Sequence, residues 1–234
     1  GHNQIDIENL ATVIENGVKQ MTTTHLSKSF LPVRRRVAVL ISGSGTNLQA
    51  LLDHCQRGLS AAEIVLVISN VSDVQGLQRA HKAGVNTKVI PHKLYKKREE
   101  FEDAIQKELE EENVEFVCLA GFMRILTASF VKKWNGCLLN IHPSLLPAFK
   151  GMHAQKQALE AGVAITGCSV HFVNEEVDGG AIVAQEAVQV FPNDSEDLLV
   201  ERIKQAEHKA YPRALEMVAR GKVKLNKDGT CIRL

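Results

Sequence analysis

Three groups of residues in this chain could do chemistry. The first is Asn140-Ile141-His142-Pro143, a side-chain amide and an imidazole two positions apart at the end of an apolar run. In a strand that spacing puts both on one side, and strand C-termini in open α/β sheets face the ligand crevice. Together they could hold a developing oxyanion, with the imidazole also moving a proton; a histidine there serves equally well as a structural residue. The second is Ser42-Gly43-Ser44-Gly45-Thr46-Asn47, between a β-branched run and a helical one. In that geometry backbone N–H groups at a helix start receive a phosphate. The third glycine of a dinucleotide fingerprint would fall at Leu48, and no Gly-Lys-Ser/Thr follows, so a monophosphate is the better expectation. A tight capped turn without a ligand would use the same residues. The third is Asp178, ahead of Gly179-Gly180, where glycine permits a sharp bend and an aspartate is also an ordinary turn former. No Gly-x-Ser-x-Gly elbow and no His-Glu-x-x-His pattern is present, which leaves serine-hydrolase and zinc-protease readings without a starting point.

These residues need a scaffold. Val37 to Ile41, Ile64 to Ser69, Thr87 to Ile90, Phe116 to Ala120 and Leu138 to Ile141 read as buried strands, and Asn47 to Arg57, Gly76 to Ala83 and Lys96 to Glu112 have helical spacing. Continuous apolar runs alternating with helices predict an α/β fold, a mostly parallel open sheet with helices on both faces. Thr166 to Val173 and Ala181 to Val190 alternate instead, which predicts C-terminal antiparallel strands joined through Asp178-Gly179-Gly180. A last helix is expected from Ser195 to Ala219, capped by its Asp/Ser/Glu start, and a small hairpin around Asp228-Gly229.

A length of 234 residues fits one domain with a short appendage. Residues 1–35 are expected to be a linker or N-terminal extension, with Arg34-Arg35-Arg36 a solvated junction, and residues 36–234 the domain. Lys+Arg number 28 against 27 Asp+Glu, so no global field draws nucleic acid or an anionic membrane. The five cysteines are odd in number and form no Cys-x-x-Cys pair, which predicts buried free thiols rather than disulfides or a zinc site. No run approaches a membrane span and no signal sequence opens the chain, so a cytoplasmic location is expected.

Four ordered blocks carry a resemblance. Val39 to Gln49, Leu119 to Leu126, Asn140 to Pro147, and His171-Phe172-Val173 with Val177 to Gly180 resemble the glycinamide ribonucleotide formyltransferases over about residues 36 to 225. The resemblance implies a formyltransferase-like fold and an enzyme of purine biosynthesis. It would transfer the formyl group of 10-formyltetrahydrofolate, its co-substrate, to the glycinamide ribonucleotide amine, without a metal. Asn140, His142 and Asp178 match the catalytic set. The amide and a protonated His142 would hold the oxyanion of a tetrahedral intermediate, and Asp178 would supply the negative partner. Gly45, Thr46 and Asn47 match the phosphate site, and Lys204, Gln205, Ala206 and Glu207 match positions that meet the ribonucleotide. Arg98 matches the folate tail site. Met123, Arg124, Ile125, Leu126, Asn140 and the loop Asn174, Glu175, Glu176, Val177 and Asp178 match the rest of the folate site.

Residues 1–35 resemble the junction ahead of this domain in fused purine-synthesis proteins, where an aminoimidazole ribonucleotide synthetase domain precedes it. The chain departs from relatives at Ser44, Thr46 and Met152 to Gln155, where relatives also vary. His153, His171 and His208 are expected to be loop, strand and helix residues. A methionyl-tRNA formyltransferase would be expected to carry a further C-terminal domain, with only 56 residues after Asp178, and a formyltetrahydrofolate hydrolase a regulatory domain ahead of the catalytic one. A nucleotide-binding module using the glycine loop alone would leave Asn140, His142 and Asp178 without a role.

Overall fold

The computed structural model describes residues 33–234. In chain order it holds β1 (Arg35–Ile41), α1 (Thr46–Cys55), β2 (Ala62–Ser69), α2 (Gln75–Lys82), β3 (Asn86–Val89), a 3₁₀ turn (His92–Leu94), α3 (Arg98–Glu111), β4 (Phe116–Leu119) and α4 (Ala128–Lys133). There follow β5 (Leu138–His142), α5 (Ala154–Ala161), β6 (Ile165–Phe172), β7 (Ile182–Gln189), α6 (Glu196–Ala219), and a separate antiparallel pair of β8 (Val223–Leu225) with β9 (Cys231–Arg233). The expected extension lies outside the described residues up to position 32.

The seven-stranded sheet has the order β3-β2-β1-β4-β5-β6-β7. The first five strands are parallel, and β6 pairs antiparallel with both β5 and β7. The chain steps outward from β1 through β2 to β3 and then jumps back to β4. Right-handed crossovers of opposite direction place their helices on opposite faces. Accordingly Val39, Ile41 and Val67 pack with Leu48, Leu51, Leu199 and Ile203 on the α1 and α6 face, and Leu40, Ile68 and Leu138 pack with Ile105, Leu109 and Phe130 on the α3 and α4 face. Burial on both faces explains why the parallel strands read as unbroken apolar runs.

Two local features differ from expectation. Helix α4, six residues long, is too short to announce itself by periodicity, and the eight-residue α5 buries only Ala154 and Ala158, too faint an apolar stripe to stand out. The arginine triplet is more than a solvated junction. Arg34 Nη2 donates to Cys55 O and Ala62 O, and Arg36 Nε donates to Glu112 O, so the triplet ties the entry of β1 to its neighbours. Helix α6 starts under a Ser195 cap that accepts from Leu198 N. Its fully buried Tyr211 lies with its hydroxyl 2.7 Å from Leu119 O and 3.1 Å from Leu139 O, fastening the helix to adjoining strands. Burial raises that phenol well above its ordinary range, which keeps it a donor.

Candidate active site

The reversal between β1 and β4 is a topological switch point, and ligand crevices in open α/β sheets form there. The glycine loop leaves β1 on one side of it. Gly45 adopts φ 70°, and a Cβ added there would sit 2.8 Å from Gly76 Cα, so both conformation and space exclude a side chain. Among the described residues no protein acceptor takes the backbone N–H groups of Gly45, Thr46 and Asn47. They are the open donors of a helix start, which attract an anion.

The loop, Gly121, Met123, Lys204 and Glu207 line a cavity of about 330 Å³. Asn47 Nδ2 donates to Glu207 Oε1 at 3.1 Å, and Asn47 Oδ1 is buried without a partner among the described residues. Burial raises the Glu207 carboxyl above its ordinary value, an effect opposed by the Asn47 hydrogen bond and the Lys204 charge. Of the expected ribonucleotide residues on α6, Lys204 and Glu207 reach this cavity. Ala206 is buried in the core, and Gln205 bonds Glu201. A larger groove of about 820 Å³ between α1 and α6 shares only Thr46 with the cavity and holds none of Asn140, His142 or Asp178.

Asn140 and His142 project from β5 toward the α3 and α4 face. His142 Nδ1 stands 3.4 Å from Asp178 Oδ1, with both side chains 8% exposed. Its Nε2 lies 2.7 Å from Phe149 O, a carbonyl that can only accept. The ring thus stands between a carboxylate and a carbonyl, both of which offer it acceptor oxygens. Asp178 Oδ2 in turn accepts from Gly151 N at 2.7 Å.

Asp178 arrives by an indirect route. Phe172 pairs with Leu139, and Val173 N bonds Leu138 O, so β6 leaves the sheet at the far end of β5 from His142. The connection must double back. A Cβ at Gly180 would fall 1.6 Å from Phe172 O and one at Gly179 2.6 Å from the Glu176 carboxyl, and Asp178 itself adopts φ 55°. The two glycines are therefore required for the return path.

The remaining expected residues form no hydrogen bond or ion pair with His142 or Asp178 among the described residues. Met123 and Ile125 are exposed, Leu126 packs against the α3 and α4 core, and Arg124 has a buried Nε without a partner among the described residues. Glu175 pairs with Lys132 and Glu176 with Lys150, Asn174 Oδ1 accepts from Glu176 N, and Val177 is exposed. Arg98 opens α3, exposed to solvent.

The sequence reading missed some participants. His171 lies in strand β6 as expected, but it also pairs across the sheet with Asn140 and turns Nε2 to within 4.0 Å of Asp178 Oδ1. Burial lowers its basicity, which favours the neutral ring. Strand parity could have put His171 on the Asn140 face once the β5 to β6 register was known. The Phe149 carbonyl and the Gly151 N–H leave no signal in residue type at all.

A family model described as formyl transferase matches residues 35–215. The chain is 56% identical over 218 residues to the trifunctional purine biosynthetic protein adenosine-3 of Homo sapiens, covering 93% of this chain and 21% of that protein. The chain thus spans about a fifth of the length of such trifunctional relatives. It is 42% identical over 192 residues to the phosphoribosylglycinamide formyltransferase of Escherichia coli, covering 82% of this chain and 91% of that protein. Among solved structures it resembles glycinamide ribonucleotide transformylase 1 from Symbiobacterium toebii, with a TM-score of 0.82 and 43% identity over 86% of this chain and 94% of the other.

Proposed function

Because the chain belongs to the formyl transferase family, we propose that it transfers a formyl group from 10-formyltetrahydrofolate to the amine of glycinamide ribonucleotide in purine biosynthesis. The buried His142–Asp178 pair beside Asn140 carries this reading, because it sets a carboxylate-backed imidazole and an amide at the carboxyl end of β5, the same end of the parallel strands at which the glycine loop leaves β1. The ribonucleotide phosphate would sit on the N–H groups of Gly45, Thr46 and Asn47, with Lys204 adding charge and Glu207 accepting from the amine. The folate would lie along Met123 to Leu126 and Asn174 to Asp178, with its glutamate tail toward Arg98. Residues 36–234 form the transferase domain in this reading.

In the proposed step the amine attacks the formyl carbon and the carbonyl electrons move to oxygen. The Asn140 amide and the His142 imidazolium stabilise that oxyanion, each donor being worth on the order of 3 kcal/mol. His142 Nε2 is bonded to Phe149 O, so it must exchange that carbonyl for the substrate oxygen. Asp178 balances the ring's charge, and a water could carry the amine proton to the departing folate nitrogen. Holding two substrates in register supplies much of the remaining rate.

The lengths of the trifunctional relatives support fusion of this domain to other purine-synthesis domains in a longer protein. The described residues include no helix long and apolar enough to cross a membrane, and all five cysteines are free thiols, which fits a reducing cytoplasm. Incubation with 10-formyltetrahydrofolate and glycinamide ribonucleotide should release the deformylated folate in proportion to formylated product. Folate release without a formylated amine would indicate a hydrolase instead, and no release would sink the reading.

A further inference from the structure

Four positions just beyond the carboxyl ends of neighbouring strands are joined by hydrogen bonds in the order of the strands themselves. From β4 toward β3, Met123 N donates to Ser42 Oγ at 2.8 Å, Ser42 Oγ donates to Asn70 Oδ1 at 2.5 Å, and Asn70 Nδ2 lies 3.1 Å from His92 Nδ1. With the amide nitrogen donating, His92 Nδ1 is the acceptor and every donor in the row points the same way. Hydrogen bonds aligned head to tail polarise and strengthen one another. Asn70 is 4% exposed, so its amide is not free to trade these partners for water.

The row joins elements that the proposed reaction uses separately. Ser42 is the first residue of the anion cradle and follows β1. Its own N–H donates to Gly121 O at 3.2 Å, so Ser42 clamps the start of the Met123 to Leu126 segment from both sides. Met123 itself is 79% exposed, which leaves little side-chain packing to hold its backbone. At the other end, His92 begins the turn that leads into Arg98 and sets its ring edge-on to Phe101 of α3.

We infer that Ser42, braced by Asn70 and His92, is a positioning residue that fixes the folate-facing segment Met123 to Leu126 relative to the phosphate loop. This rests on the functional reading above. Removing the Ser42 hydroxyl leaves the Met123 N–H to water and lets the segment drift, at a cost equal to one ordinary hydrogen bond. The folate KM of Ser42→Ala should therefore rise about three- to tenfold, clearly more than the ribonucleotide KM. His92→Phe, which keeps a ring against Phe101 but removes the acceptor, should shift the folate KM in the same direction by less. Ser42→Thr keeps the hydroxyl and should return the folate KM to within twofold of the parent.

Hydrogen exchange at the Met123 amide gives a reading that needs no turnover, and in Ser42→Ala it should quicken about fivefold while exchange in the core strands stays unchanged. A folate KM within twofold of the parent in Ser42→Ala, equal rises in both KM values, a Thr variant as impaired as the Ala variant, or unchanged Met123 exchange would each overturn the inference. An unaltered chain that transfers no formyl group overturns the functional reading instead, and Met123 exchange then still decides whether Ser42 holds the segment.

Discussion

Six consecutive residues, Ser42 to Asn47, make the proposed anion cradle, whereas the cluster at His142 draws on four separate stretches: Asn140 and His142 on β5, Phe149 and Gly151, His171 on β6, and Asp178. The cradle would act through backbone N–H groups, whose positions follow from one strand end and one helix start. The cluster would act through side chains whose distances depend on strand register and a loop that doubles back. The comparison teaches that the anion site should tolerate side-chain changes but not backbone ones, and that the cluster should be vulnerable from a distance.

The largest effect should come from Asp178→Asn, which removes the negative partner of His142 and the charge that Gly151 N donates to. We expect kcat to fall on the order of a thousandfold with both substrates still bound. The double variant with His142→Ala should be scarcely slower than the poorer single variant, because groups acting as a unit are non-additive. Losses that multiply in steady-state kinetics would separate the two residues. Gly180→Ala tests the same cluster without touching a reacting group. Its Cβ cannot coexist with Phe172 O, and a displacement of about an ångström at Asp178 should cost roughly a hundredfold in kcat while the ribonucleotide KM holds. A kcat near that of the parent would mean that the loop does not need this path.

Gly45→Val attacks the other region. A β-branched residue at φ 70° against Gly76 must distort the loop, so the ribonucleotide KM should rise at least about tenfold with folate binding nearly intact. Equal loss of both ligands in a binding titration would count against the assignment. Arg98→Ala should raise the folate KM only about threefold and spare kcat, since a single screened contact is worth about 1 kcal/mol or less. A collapse in kcat would move Arg98 into the chemistry.

The smallest effect concerns stability where α6 lines the cavity of the glycine loop. Burial raises the Glu207 carboxyl. A group raised in the folded state contributes fully below its unfolded value, about 4.3 for glutamate, and that contribution is lost as pH rises through the folded value. Ionised Glu207 is therefore a cost at neutral pH. Glu207→Gln still accepts from Asn47 and should raise Tm by about 2 °C at pH 7. The gain should vanish below about pH 4, and a gain independent of pH would show that desolvation of the carboxylate is not its source.

How far each part could be read from the sequence follows from how local it is. Apolar runs specify the strands because both faces of the sheet are covered, and the loop after β1 declares itself because its glycines and its Thr/Asn helix start are contiguous. The alternating texture of β6 and β7 likewise marks them as antiparallel. Helix α4 is too short for a 3.6-residue period to be seen, and α5 turns only two alanines to the core. The partners of His142 and Asp178 at Phe149 O and Gly151 N stay hidden because main-chain groups are common to every residue. The residue pattern placed Asn140 and His142 on one side of a strand end, and it left Asp178 indistinguishable from a turn former. Only the tertiary structure decided that this turn, leaving β6 at the wrong end of the sheet, returns far enough to set its carboxylate 3.4 Å from the imidazole. The physical reason is that register and loop path are set by pairing across the sheet and by the space Gly179 and Gly180 leave empty, and neither is a property of any stretch of sequence taken alone.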